Sequence, residues 1–144
     1  MRHARTRVLT IVGVVGAVAL LGIPTAVQAQ LGGMRANIPF DFYIGSQNFP
    51  AGQYTLQRTQ NDSWVVRVSD LNGHNMVTMT IPITSHSKNL DPELIFNRYG
   101  SYNFLSEVRW LGSPSAGQFR KSSLERDFAK NSAPERVAAA NLNR

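Results

Sequence analysis

The chain has 144 residues, 42% of them hydrophobic and 17% charged, with a formal charge of +6. That length suits one domain, and the low hydrophobicity with high charge that marks disorder is absent. The absence of cysteine excludes disulfides, thiolate zinc sites, thiol nucleophiles and a lipidated N-terminal cysteine. Three of the fifteen basic residues, Arg2, Arg5 and Arg7, stand at the extreme N-terminus. The rest form no basic stripe, so no nucleic-acid partner is expected.

Met1 to Arg7 reads as a positive n-region, Val8 to Ile23 is almost wholly apolar, and Pro24 breaks the run. Val27-Gln28-Ala29 then presents small residues where a signal peptidase reads, which predicts cleavage between Ala29 and Gln30. An apolar helix of this kind enters the bilayer while the arginines hold its start on the cytoplasmic side. The expectation is an exported protein, periplasmic or extracellular, that meets the membrane only through its signal peptide during export. The alternative is an uncleaved N-terminal anchor, because Val8 to Val27 is near the length that spans the hydrocarbon.

Ile38 to Leu56 alternates from the start. Ile38, Phe40, Phe42 and Ile44 fall on one side and Asn37, Pro39, Asp41 and Tyr43 on the other, the period of a half-buried first strand. Phe49-Pro50-Ala51-Gly52 has the pattern of a type I turn, after which Tyr54 and Leu56 resume the alternation on an antiparallel partner.

Two further hairpins follow. Asn72-Gly73 is the preferred pair for a two-residue type I′ turn, and pairing outward from it sets Val68 opposite Val77, Val66 opposite Met79 and Trp64 opposite Ile81. All six then share the buried face, with Val65, Arg67 and Ser69 opposite Thr80, Thr78 and Met76 on the other. Pro82 marks the strand's end or a sheet edge. Beyond the TSHSKNLDPE loop, Leu94–Tyr99 and Tyr102–Trp110 flank Gly100-Ser101, which fits a type II′ turn. That pairing groups Ile95, Tyr99, Tyr102, Phe104, Val108 and Trp110 on one side. Leu94, Phe96 and Leu105 share the other with Arg98, Asn103, Glu107 and Arg109. Neither side is cleanly polar, so either both faces are partly covered or the turn is longer and the register differs by one.

From Leu111 the composition shifts. The division predicted is a signal peptide over 1–29, a β domain over 30–111, and a flexible link, short helix and frayed tail over 112–144. Ser122 with Glu125 forms a capping-box pattern opening a helix with Leu124 and Phe128 on one face. That helix is expected to dock on the side carrying Leu94, Phe96 and Leu105. Ser132 and Glu135 repeat the pattern before an alanine-rich run favouring helix but with little to bury, so residues after Asn131 are expected to be dispensable.

Two segments together resemble a family of small uncharacterised exported proteins of soil bacteria: IPFDFYIGSQNFPAGQYTL, with its P-F-D-F, Gly45 and P-A-G-x-Y, and LIFNRYGSYNFLSEVRW, with its R-Y-G and F-L-S-E. The resemblance covers about half of the chain and implies a secreted β-rich domain. It implies no activity, cofactor or catalytic residue.

The residues themselves supply no catalytic constellation. Asp70-Leu71-Asn72-Gly73-His74 starts like a calcium loop but lacks the closing glutamate, and the Asn-Gly turn explains it better. His74 and His86 lie apart with no metal-ligand spacing, and Ser85, Ser87 and Ser106 lack a G-x-S-x-G elbow. Asp41 and Glu107 cannot be placed at a catalytic separation. Gly32-Gly33 has no surrounding phosphate-loop pattern. Arg98, Tyr99, Tyr102, Phe104, Arg109 and Trp110 interleave cations and aromatics, yet core packing accounts for most of them. No catalytic residue, cofactor or metal is therefore assigned.

The fold expected is all-β, a small antiparallel β-sandwich or partly closed barrel of about six strands with a short C-terminal helix. The function expected is a non-enzymatic structural or interaction role with an unknown protein or small-molecule partner. A carrier of a small apolar or sugar-like ligand comes second and a secreted hydrolase third.

Overall fold

The computed structural model describes residues 33–59, 62–85, 90–139 and 142–143, so the predicted leader and its Ala29/Gln30 cleavage site lie outside the described residues. Among the described residues the fold is mostly β with one short helix, a sandwich-like arrangement whose sheet does not close. Eleven strand segments stand among the described residues where about six were expected.

The predicted first strand is two. β1 (Met34–Ile38) alternates buried and exposed residues and pairs antiparallel with β4 (Gly52–Thr59), Ala36 opposite Tyr54 and Ile38 opposite Gly52. Pro39, with no N–H to donate, follows its last residue. The chain resumes as β2 (Phe42–Ile44), which turns at Gly45, φ +63°, into β3 (Gln47–Phe49). Asp41, between β1 and β2, accepts a hydrogen bond from the Ala51 N–H at 2.8 Å, and the Tyr54 hydroxyl donates to the Pro50 carbonyl at 2.6 Å. These two bonds hold the return into β4.

The hairpin of β5 (Asp62–Asp70) and β6 (Asn75–Thr84) forms, but one residue out of the predicted register: Val68 faces Met76, Arg67 faces Val77, Val66 faces Thr78 and Val65 faces Met79. The cause is at the tip. The Asp70 carboxylate accepts from the backbone N–H of Asn72 at 2.9 Å and of His74 at 2.8 Å, and Gly73 takes φ +88°. The loop is thereby Leu71-Asn72-Gly73, three residues with glycine in the left-handed position, rather than Asn72-Gly73 alone. A one-residue slip sends alternate side chains to the opposite face. Val66 and Val68 stay in the core, whereas Val77, Met79 and Ile81 point outward.

β7 (Glu93–Tyr99) and β8 (Tyr102–Arg109) pair as expected near Gly100, φ +60°, with Tyr99 opposite Tyr102 and Phe96 opposite Leu105. A bulge then leaves Ser106 unopposed and sets Ile95 against Glu107 and Leu94 against Val108. Val108 and Trp110 thus join Leu94, Phe96 and Leu105 in the main core, instead of the opposite face. Both faces of this hairpin are covered, the first of the two alternatives left open by its mixed pattern.

The segment expected to be a link contains β9 (Ser115–Phe119), inserted between β6 and β8. Its Gly117 is required: a Cβ there would lie 2.6 Å from Thr80 Oγ1. The alanine-rich stretch expected to be frayed helix is β10 (Glu135–Ala139), paired along β7, and β11 (Leu142–Asn143) pairs with β1. The open edges of β7 and β1 offer these weakly apolar segments ladder hydrogen bonds that a solitary helix could not match.

Strand order is β10-β7-β8-β9-β6-β5-β4-β1-β11, with β2 and β3 branching from β8. β6 pairs with β5 through Met79 and with β9 from Thr80 onward, carrying the chain from one layer to the other. Between the layers, Phe42 packs on Phe49, Tyr54 and Phe96 with ring centroids 5.0–5.5 Å apart. The helix α1 (Ser123–Ala129) docks on the hairpin of β7 and β8, but on the face opposite to the one expected. There Phe128 meets Tyr99, Tyr102 and Phe104.

Candidate functional site

The described polar residues among those singled out from the sequence are spent on structure. The Asp70 carboxylate, besides its two backbone bonds, lies 2.8 Å from the His74 ring, with His74 largely exposed at the hairpin tip. The hydrogen bond from that ring, joined by the backbone N–H groups of His74 and Asn72, holds the Asp70 carboxyl below the usual carboxylate range. His86 and Ser87 lie outside the described residues. Ser106 is the buried bulge residue, and Ser85 donates its backbone N–H to the Pro114 carbonyl. Among the described residues no three His, Cys, Asp or Glu side chains gather where a metal could sit.

Glu107 is buried and accepts from Arg136 and, at 3.4 Å, from Arg109, which also donates to Glu93 at 2.5 Å. The chain Glu93–Arg109–Glu107–Arg136 ties β7, β8 and β10 together, and each carboxylate in it is met by a cation. The interleaved arginines and aromatics are packing contacts. Arg98 donates to Asn103 at 2.8 Å with its guanidinium 5.3 Å over Phe40, and the Arg58 guanidinium lies 4.6 Å over the buried Trp110. Burial lowers the pKa of Arg58.

What the sequence concealed is on the outward face of β5 and β6. Val77, Met79 and Ile81 are 51%, 69% and 42% exposed and follow one another along β6. Val65 stands directly across from Met79, and Leu71 projects from the tip of the same hairpin. An alternation of apolar and polar residues marks one face as buried, yet it does not say which of two adjacent registers the turn selects. The signal that could have revealed the row is Asp70, an aspartate placed to cap the turn's N–H groups.

Comparison of the chain with protein-family models, with curated proteins and with solved structures finds no match.

Proposed function

We propose that the protein is an exported, non-enzymatic β domain that acts through its surface, in a structural or interaction role at the cell envelope or outside the cell. The observation that carries this reading is the Val77–Met79–Ile81 row: a chain that packs its interior with aromatic rings nonetheless leaves three consecutive outward positions apolar and exposed. An apolar patch kept on a surface marks an interaction site. The leader pattern of Arg2, Arg5, Arg7 and the apolar run to Ile23 supports export, as does the resemblance to small exported proteins of soil bacteria.

The carrier reading needs an apolar chamber, and its interior position is taken by Phe42 with Tyr54 and Phe96 packed edge-on against it. The hydrolase reading needs a nucleophile, base and orienting group within hydrogen-bond reach of one another. Substrate screens with the purified chain test the proposal. Turnover abolished by one polar substitution overturns it, and the absence of turnover together with retention of a partner sensitive to Met79→Glu is the expected result.

A further inference from the structure

Along β1, β4, β5 and β6 the described side chains around the exposed row carry charge of one sign, and the one carboxylate reached through Ile81 and Gln118, that of Glu107, is buried and met by Arg136 and Arg109. Directly opposed residues share a face, so the pairings Arg35–Thr55–Ser69–Asn75, Gln57–Arg67–Val77 and Val65–Met79 map the outward surface of β1, β4, β5 and β6. Among the described side chains at outward positions of these four strands there is no aspartate or glutamate, whereas Arg35 and Arg67 are both exposed. Among the described residues neither arginine has a carboxylate in ion-pair contact. Arg67 sits immediately across from Val77, and Leu71 continues the apolar character to the hairpin tip, 79% exposed.

We propose that this face is a peripheral docking surface for an anionic lipid bilayer, with Leu71, Val77, Met79 and Ile81 entering the headgroup–acyl boundary and Arg35 and Arg67 engaging the lipid phosphates. The proposal rests on the surface-acting reading above and names its partner. Exposed apolar side chains beside cations that no described carboxylate pairs are the chemistry that such a boundary selects. Aliphatic valine, methionine, isoleucine and leucine mix with acyl chains, while the central aromatic anchors that dominate protein interfaces are missing from the row. A second copy fits less well. Stacking two such faces opposes arginine to arginine, and a row about 14 Å long at strand spacing is well short of the roughly 800 Å² per partner that stable interfaces bury. The sequence alone gives the membrane only to the leader. The one-residue slip at Asp70 is what turns the row outward.

The test is sedimentation of the full chain with mixed phosphatidylcholine–phosphatidylglycerol vesicles and with pure phosphatidylcholine vesicles. Intact mass first establishes that all preparations share one N-terminus, so that any contribution of the leader is common to them. The expected result is binding to the anionic vesicles that salt reverses, weakened about 30-fold by Arg35→Gln with Arg67→Gln and about tenfold by Val77→Ser with Met79→Ser. Leu111→Ser, at an exposed apolar residue elsewhere, leaves it unchanged. Melting midpoints check that each variant is folded, and the salt titration of the unsubstituted chain needs no variant. Equal binding to both vesicles, no binding, affinity indifferent to either pair, or a lipid-free dimer abolished by Met79→Glu would each overturn the lipid assignment. Enzymatic turnover would instead overturn the surface-acting reading, so the two failures are told apart.

Discussion

The Asn97 side-chain amide donates to the Glu125 carboxylate at 2.8 Å, across 28 residues, and both groups are buried, 6% and 4% exposed. Ser122 Oγ accepts from the Glu125 N–H at 3.1 Å as the capping pattern predicts. The carboxylate of Glu125, however, reaches β7, and so the capping residue also anchors the helix to the sheet. Glu125→Ala should lower stability by about 1–3 kcal/mol, because it leaves the Asn97 amide buried without its acceptor. Asn97→Leu combined with Glu125→Leu should recover part of that loss, and denaturant melts of the three variants measure the coupling.

Phe128 is half-buried, with its ring centroid 4.5 Å from Tyr102, 5.9 Å from Phe104 and 6.1 Å from Tyr99. Phe128→Ala is expected to cost about 1–3 kcal/mol, less than a fully buried phenylalanine. A lowered thermal midpoint checks this. An unchanged midpoint would mean that the helix contributes nothing to the fold.

Gly117 leaves room for Thr80. A Cβ at position 117 would meet Thr80 Oγ1 at 2.6 Å, Thr80 Cβ at 3.0 Å and Val108 Cγ1 at 3.2 Å, in the middle of the β6–β9–β8 ladder. Gly117→Ala should therefore destabilise by about 1–3 kcal/mol, the usual scale of overpacking. Adding Thr80→Ala should relieve part of the clash. Its own penalty, from losing the 2.9 Å bond of Thr80 Oγ1 to the Trp64 carbonyl, is read from the single variant.

Truncation after Asn131 is expected to be severe, contrary to what the alanine-rich composition suggests. It removes β10, whose Ala139 is buried, and bares the edge of β7 along Leu94–Arg98. The loss should be on the order of 3 kcal/mol or more from ladder bonds and burial together. An exposed edge strand also templates pairing with other chains, so light scattering should report aggregation alongside the lower midpoint.

The Asp70 turn sets a dependence on acid. The folded pKa of Asp70 is depressed, so its contribution to stability is present above the unfolded value of about 3.9 and is lost as pH falls through the folded value. The protection of the His74 amide against exchange, measured relative to the free-peptide rate at each pH, should therefore fall as the solution is acidified below about pH 4. Asp70→Asn should abolish this step. If the protection in the unsubstituted chain is flat across that window, the carboxylate does not hold the turn.

Composition and alternation determined that this chain folds as a β protein around Ile38, Phe42, Ile44, Tyr54, Leu56, Val66 and Val68, because every second residue there must leave water. The turns at Gly45 and Gly100 and the helix cap at Ser122 were equally local, each set by a backbone conformation or a nearby oxygen. Tertiary structure decided what local chemistry leaves balanced. The three-residue loop at Asp70 and the bulge at Ser106 each change which residues share a face, and a period of two reads the same in either register. Weakly apolar stretches such as Ser115–Phe119 and Glu135–Ala139 became strands only because β6, β8 and β7 presented unpaired backbone to them. The outward row of Val77, Met79 and Ile81 belongs to the same class: its residues were plain in the sequence, but its direction hung on one aspartate accepting two backbone hydrogen bonds.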